Sequence, residues 1–283
     1  MVLIKYPATQ YCDGLRGPLI VYDEDDSHAS LYDVDDESTV ITLTDWYHEK
    51  AKTITSGATT PNSTLINGLG RYSAGNETTL AVVNVTQGTR QVGNVSATPS
   101  YSMQINPWET TVAMFLEFAF SDGIFTVNGV EYVPPTVPVL LQILSGAQTA
   151  DSLLPSGSII SLPRNATVEL SMTGGVNSEQ HPMHLHGHTF SVVRAAGASD
   201  YNFVNPIRRD VVNAGDSTDN VTIRFTTDNP GPWIFHCHID WHLEEGFAVV
   251  FAERTDEWNS TIHPTEQWDN LCPTYDALSS DDL

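Results

Sequence analysis

Val221-Thr-Ile-Arg-Phe225 alternates apolar with polar residues and is then broken by Asp228-Asn-Pro-Gly231, so it reads as a short strand closed by a turn. The same pattern of short, β-branched runs separated by Gly, Asn, Asp and Pro recurs at Leu19-Ile-Val-Tyr22, Val40-Ile-Thr-Leu43, Leu80-Ala-Val-Val-Asn-Val85, Ile159-Ile160, Val168-Glu-Leu-Ser-Met172 and Phe190-Ser-Val-Val193. The clearest helix signal is brief, His242-Leu-Glu-Glu245 before Gly246. No fixed-period repeat interrupts this rhythm. The expected fold class is therefore all-β, a sandwich or a barrel.

A chain of 283 residues has room for two or three domains. Glu49 to Asn76, rich in Thr, Ser, Gly and Asn, reads as a linker or a loop-heavy domain entry. Gln91-Val-Gly-Asn-Val-Ser-Ala-Thr-Pro-Ser100 is polar and patternless and follows a good strand with no recognisable turn, as though a segment were missing. From Phe115 the strand rhythm resumes and holds to about Glu253, and the tail Ser279-Ser-Asp-Asp-Leu283 is expected to fray.

Charge narrows the partners. Twelve Lys and Arg against 35 Asp and Glu give a net charge of −23, which repels polyphosphate and anionic lipid and excludes nucleic acid as an expected partner. No apolar run approaches the ~18 residues of a membrane span, and Val137 to Leu144 is broken by Pro138 and Gln142. Met1-Val-Leu-Ile-Lys5 is too short for a signal-peptide core, yet seven Asn-x-Ser/Thr acceptors, at Asn62, Asn76, Asn84, Asn94, Asn165, Asn220 and Asn259, point to a secreted glycoprotein. Cys12, Cys237 and Cys272 cannot all pair with one another, so at least one thiol has another task.

That task is indicated by the histidines. Only ten occur in the chain, yet His181-Pro-Met-His184-Leu-His186-Gly-His188 holds four and His236-Cys-His238-Ile-Asp-Trp-His242 holds three. Four specified histidines at that frequency arise by chance about once or twice per million starting points, so two such clusters are not core or surface residues that happen to be neighbours. If the segment around Cys237 is a strand, Cys237 faces one way and His236 and His238 the other. A single strand then presents a thiolate to one site and two imidazoles to a second. In the first cluster His184 and His186 share a face and His181 falls on the opposite one. Parity also groups His188 with His184 and His186, unless Gly187 introduces a bulge.

One thiolate with imidazoles and no carboxylate suits copper or zinc, and a His2Cys set is the blue-copper type, with Cys237, His181 and His242 as its members. The axial position falls at Phe247, which cannot ligate, and the absence of a thioether there favours Cu(I) and a high potential. As a plain structural residue, Phe247 is a core aromatic after Gly246. A catalytic zinc held by His184-Leu-His186-Gly-His188 is the competing metal reading, but hydrolase sites of that kind want Asp-His to follow directly, and Thr189 stands here.

The two clusters resemble the third and fourth copper motifs of the laccases, the multicopper oxidases of fungi. Thr9-Gln-Tyr-Cys-Asp-Gly-Leu-Arg-Gly-Pro18, Thr39-Val-Ile-Thr-Leu-Thr-Asp-Trp-Tyr-His48 and Asn128 to Leu144, with Val133-Pro-Pro-Thr-Val-Pro138, are similar to that family as well. The resemblance implies cupredoxin-like Greek-key barrels: residues 1–48 as the end of a first domain, 49–115 as a remnant of a second, and 116–283 as a nearly whole C-terminal domain carrying the copper sites. It implies type 1 copper on His181, Cys237 and His242, type 2 on His184, and type 3 on His186, His236 and His238, with Phe247 and Ile239 as further cofactor contacts and no ligand role for His188. The implied reaction is one-electron oxidation of phenols or aromatic amines near His242, with electron transfer through Cys237 to His236 and His238 and reduction of dioxygen to water, the chemistry of lignin degradation.

The sequence also departs from the family. Its trinuclear cluster takes eight histidines, four of them from two His-x-His motifs of the first domain, whereas His28, His48, His188 and His263 are the others here and none forms that motif. Extended without gaps, the match before Thr9 puts Ile4 and Tyr6 where the second motif belongs. The chain thus resembles a laccase shortened at its start and after about Arg90, with the partners of Cys12 and Cys272 in the absent segments. Two functions compete, a laccase-type oxidase completed by a missing first-domain segment and a mononuclear copper electron carrier. Histidine counting favours the second for the chain alone, and descent favours the first.

Overall fold

A computed structural model of the chain describes residues 11–18, 20, 29–31, 33–34, 36–51, 60–70, 110–270 except 136, 138, 145–148, 150–153 and 178, together with 273 and 277. The strand expected at Leu80–Val85, most of that at Leu19–Tyr22, the polar stretch 91–100, the tail, Cys272, and the acceptors Asn76, Asn84 and Asn94 lie outside these residues. The chain divides into two compact units, Pro7–Met103 and a larger one carried by Gln104–Leu283.

The smaller unit holds an antiparallel hairpin of β1 (Leu43–Trp46) and β2 (Ser63–Ile66), with Leu43 opposite Ile66 and Trp46 opposite Ser63. The strand expected at Val40–Leu43 therefore starts where it should have ended. Asn67 and Gly68 form the turn after β2 at positive φ, and the Asn67 side chain accepts from Thr42 N–H at 2.7 Å and donates to the Val40 carbonyl at 3.2 Å. Those polar groups are satisfied by a side chain, so the ladder runs only from Leu43 onward.

Among the described residues the larger unit contains twelve strands: β3 (Val112–Leu116), β4 (Phe118–Ser121), β5 (Ile124–Val127), β6 (Ile159–Leu162), β7 (Thr167–Thr173), β8 (Pro182–Leu185), β9 (Phe190–Arg194), β10 (Ile207–Arg209), β11 (Val211–Asn213), β12 (Asn220–Thr226), β13 (Gly231–Cys237) and β14 (Ala248–Glu253). They build a sheet of order β10-β9-β12-β7-β3, a second of order β11-β8-β13-β14-β6, and the hairpin β4-β5. β3 runs parallel to β7 and β6 parallel to β14, while the other pairs are antiparallel. β3 begins ahead of the boundary expected at residue 116, and its whole length pairs with β7.

Alternation makes the core. Val168, Leu170 and Met172 of β7 and Val221, Ile223 and Phe225 of β12 face Leu185, Phe235 and Phe251 of the other sheet, all essentially buried. β14 is buried along its full length because its second face is covered by Val139 and Ile143 of a helix (Val139–Leu144) and by Trp258. That double burial explains the unbroken run Ala248-Val-Val-Phe-Ala252. Asp122 and Gly123, both at positive φ, close the tight β4-β5 turn that carries Phe125 inward.

Gly187, just past β8, has φ +75°, and a Cβ there would lie 2.4 Å from the Trp233 ring. Gly187→Ala should lower the unfolding free energy by about 2–4 kcal/mol, from left-handed strain plus overpacking against an aromatic ring. Urea denaturation of the two proteins checks this.

Candidate metal centres

β8 and β13 are neighbours in register, with His184 opposite His236 and Met183 opposite Cys237. Facing pairs share a side of the sheet, so Met183 and Cys237 point into the core, while His184 and His236 point out of it. His181 enters from just before β8. His242 comes from the short helix Asp240–Glu244, whose Leu243 N–H closes onto the Ile239 carbonyl and which ends before Gly246 at φ +94°.

His181, Cys237 and His242 form one buried group whose ligand atoms all lie within 4.8 Å of one another. Cys237 Sγ is 3.7 Å from His181 Nδ1 and 3.6 Å from His242 Nδ1, and the two Nδ1 atoms are 3.1 Å apart. Bonds of about 2.0–2.3 Å to a metal in a trigonal plane set ligand atoms about 3.5–4.0 Å apart, a range that the two sulfur–nitrogen spacings meet and the shorter Nδ1–Nδ1 spacing does not. The proton positions agree. His181 Nε2–H donates to the Val176 carbonyl at 3.1 Å, and His242 Nε2–H faces the Glu179 carboxylate at 3.2 Å, which leaves both Nδ1 lone pairs aimed at the thiol. A donor set of two imidazole lone pairs and a thiol converging in an apolar pocket fits copper.

Burial shapes the titration of the group. It pushes the Cys237 thiol up to about 12, partly opposed by a hydrogen bond from the Ile239 backbone, and Glu179 and Asp240 raise it further. It also draws His242 down to about 4, with the His181 charge acting the same way, and lowers His181. Phe247 closes one side of the group: it is fully buried, stacks on Phe125 at 4.7 Å and meets the His181 ring edge-on at 5.0 Å. Its carbonyl accepts from Cys237 N–H at 3.1 Å.

The second group lies on the other face. His186 Nε2 is 3.1 Å from His236 Nε2, and the His184 ring is 4.7 Å from His186, 5.7 Å from His236 and 5.6 Å from His238. His184 Nδ1–H donates to the Asp210 carbonyl and His236 Nδ1–H to the Cys237 carbonyl, so each presents Nε2 to the group. Burial brings His236 to about 3 and His186 to about 4, with the neighbouring imidazoles pushing the same way. His238 is exposed, which leaves one side of the group open.

His188 does not join the other histidines. The positive-φ turn at Gly187, past the end of β8, places its ring between Phe225 and Trp233, where Nε2 sits 2.8 Å from the fully buried carboxylate of Glu253. Two neighbours of the first group carried no signal in the sequence reading. Phe125 touches both His181 and His242 rings from the hairpin, and Glu179 caps His242. A carboxylate two residues before the first cluster was the available hint for Glu179.

Comparison with known proteins identifies the family. Family models described as multicopper oxidase match residues 37–128 and 132–257. Laccase-5 of Trametes versicolor is 43% identical over 98% of this chain and 74% of its own length, and a laccase of Phlebia radiata is 40% identical over 97% and 74%. The first alignment runs to 392 residues, more than a hundred beyond the 283 available here, so the match crosses segments that this sequence does not contain. Among solved structures, the laccase from Botrytis aclada is 25% identical with a TM-score of 0.50, over 78% of this chain and 42% of that one. The multicopper oxidase Fet3p, at 24% identity and TM-score 0.50 over 70% of this chain and 44% of that one, is similar in fold.

Two outcomes are expected. Copper loading should give an intense visible absorption that Cys237→Ser abolishes, because only Cys237 supplies a thiolate there. Colour that survives the substitution contradicts the ligand set. In the metal-free chain the folded-state values of His186, His236 and His242 lie below the unfolded 6.5, so the unfolded state binds more protons between about pH 6.5 and pH 3. Stability present at pH 7 is therefore lost on acidification through that window, and urea midpoints measured from pH 7 to pH 4 should fall steadily.

Proposed function

The chain belongs to the multicopper oxidases, and from that membership we propose that it serves a laccase-type reaction, oxidising phenols or aromatic amines one electron at a time and delivering the electrons to dioxygen. Its cofactor is copper, and His181, Cys237 and His242 would hold the type 1 ion, His184 the type 2 ion, and His186, His236 and His238 the type 3 pair. When bound, copper supplies the one-electron redox chemistry at the organic substrate and the four-electron reduction of dioxygen to water.

The observation that carries this reading is the back-to-back placement of two donor groups on one strand. Cys237 looks into one group while His236, its neighbour by one peptide bond, looks into the other, so the two are joined by a short covalent path. Phe125 and Phe247 exclude water from the first group and fix its imidazoles. No acid, base or nucleophile is required at the donor pocket for outer-sphere electron loss. The acidic chain favours neutral or cationic aromatic substrates over anions. Comparison with the relatives weighs for the oxidase over a mononuclear electron carrier.

Four further cluster ligands come, in this reading, from a first-domain segment that adds to the open side beside His238. Residues 1–48 and the stretch after them are then the remains of two preceding cupredoxin-like domains, and the larger unit, which takes in β3 ahead of residue 116, is the copper-bearing one. Secretion is part of the same proposal, supported by the exposed acceptors Asn62 and Asn165, whereas Asn220 lies half-buried within β12. No helix among the described residues is long and apolar enough to cross a membrane.

Copper content and oxygen uptake with a phenol test the proposal. The pure 283-residue chain should bind about one copper tightly, accept one electron and stop, since the second group has half its ligands. Adding a fragment with two His-x-His motifs should bring the total to about four coppers and start sustained uptake. Absence of uptake in the completed protein contradicts the oxidase reading, and sustained uptake by the chain alone shows that other groups finish the cluster.

A further inference from the structure

A carboxyl group sits where the rest of its strand is apolar. β14 ends on Glu253, whose side chain is fully buried after Ala248-Val-Val-Phe-Ala252. Burying a carboxyl group is unfavourable unless its oxygens are used, and apolar residues of similar size at such a place are commonly as stable or more so. Two neighbours use these oxygens. Oε1 accepts from the Asn229 backbone N–H at 2.6 Å, and Oε2 faces His188 Nε2 at 2.8 Å. Both contacts lead to the same short stretch of chain.

That stretch follows His186. Asn229 Nδ2–H donates to the Gly187 carbonyl at 2.9 Å, and the Asn229 carbonyl is itself held by Trp233 Nε1–H at 2.6 Å. One carboxyl group thus fixes the Gly187 carbonyl through Asn229 and meets the His188 ring directly. His186 depends on such support more than its neighbours do. The His184 and His236 rings are oriented by Nδ1–H bonds to the Asp210 and Cys237 carbonyls, whereas His186 Nδ1 has no acceptor among the described residues. Its backbone N–H is tied to the Ile234 carbonyl at 3.1 Å. The aim of its Nε2, 3.1 Å from His236 Nε2, is then set by how the chain continues through residues 187 and 188.

We propose that Glu253 is the positioning residue of the second donor group: its carboxyl group anchors Asn229 and His188, these hold the turn after His186, and the turn aims His186 Nε2 at His236. This rests on the reading of that group as a copper site. The first group is oriented by other contacts, His181 by the Val176 carbonyl, His242 by Glu179 and the Cys237 N–H by the Phe247 carbonyl. Loss of the Glu253 anchor therefore disturbs one group and spares the other, which a general loosening of the barrel would not do.

The test uses the full chain with and without copper. In the metal-free protein, the ring-nitrogen NMR signals of His186 and His236 should move in Glu253→Gln and in Asn229→Ala, while those of His181 and His242 stay in place. Asn229 is only half-buried, so its variant decides the matter if Glu253→Gln does not fold. Copper(II) added beyond the first equivalent and followed by EPR should bind about tenfold more weakly in both variants, with the visible band of the first group unchanged. Replacing the pair together, His188→Phe with Glu253→Leu, should regain the urea midpoint that Glu253→Gln loses and leave the His186 signal displaced. Signals and second-copper affinity like the parent's in folded variants overturn the positioning role. Movement of both groups together overturns it too, as does a paired variant that regains the parent's His186 signal along with stability. A parent chain that takes no second copper instead overturns the metal reading of the second group, and the metal-free spectra still decide Glu253.

Discussion

The two-residue repeat of a β-strand is the constraint on which the site depends. At the end of β13 a thiol and an imidazole occupy consecutive positions, and the pleat sends them to opposite faces. Sliding β13 by one residue against β8 would exchange their faces and dismantle both donor groups together. The surrounding construction resists such a slip: β13 is hydrogen-bonded on both sides, by β8 and β14, and the Cys237 N–H is tied to the Phe247 carbonyl.

Much of this was legible before any coordinates. Val168–Met172, Phe190–Val193 and Val221–Phe225 announce their strands because each has one face in the core, and alternation along His236-Cys-His238 separates the two groups from sequence alone. The same parity could not settle His188, because a positive-φ glycine breaks the register and the buried partner, Glu253, stands 65 positions away. Val40–Leu43 misled for a related reason. The residues are β-formers, but Asn67, distant in sequence, takes their backbone polar groups. Phe125 and Glu179 depend on which loop closes over the site, and periodicity carries no information about that.

The metal-free groups are held at a cost. Two imidazole nitrogens face each other at 3.1 Å in each group, with burial holding several of these rings below their ordinary range. Such an arrangement persists because rigid neighbours impose it: the stacked Phe125 and Phe247 on one side, and the Asp210 and Cys237 carbonyls, which fix the tautomers, on the other. The fold holds the nitrogen donors together where a cation could take them.

The two parallel pairings have a kinetic meaning. β6 must find β14 and β3 must find β7 across long stretches of chain, and neither contact can form from a local hairpin. Loop-closure entropy is lost before such contacts return any stabilisation, so the barrel condenses slowly and as a whole. Because His181 and Cys237 lie 56 residues apart, the pocket comes into being only at that late step. Early in folding the chain can offer a metal only the local sets His184-Leu-His186 and His236-Cys-His238, and capture of the ion by the complete His181-Cys237-His242 group follows condensation, an order that refolding with and without copper in the buffer would resolve by time.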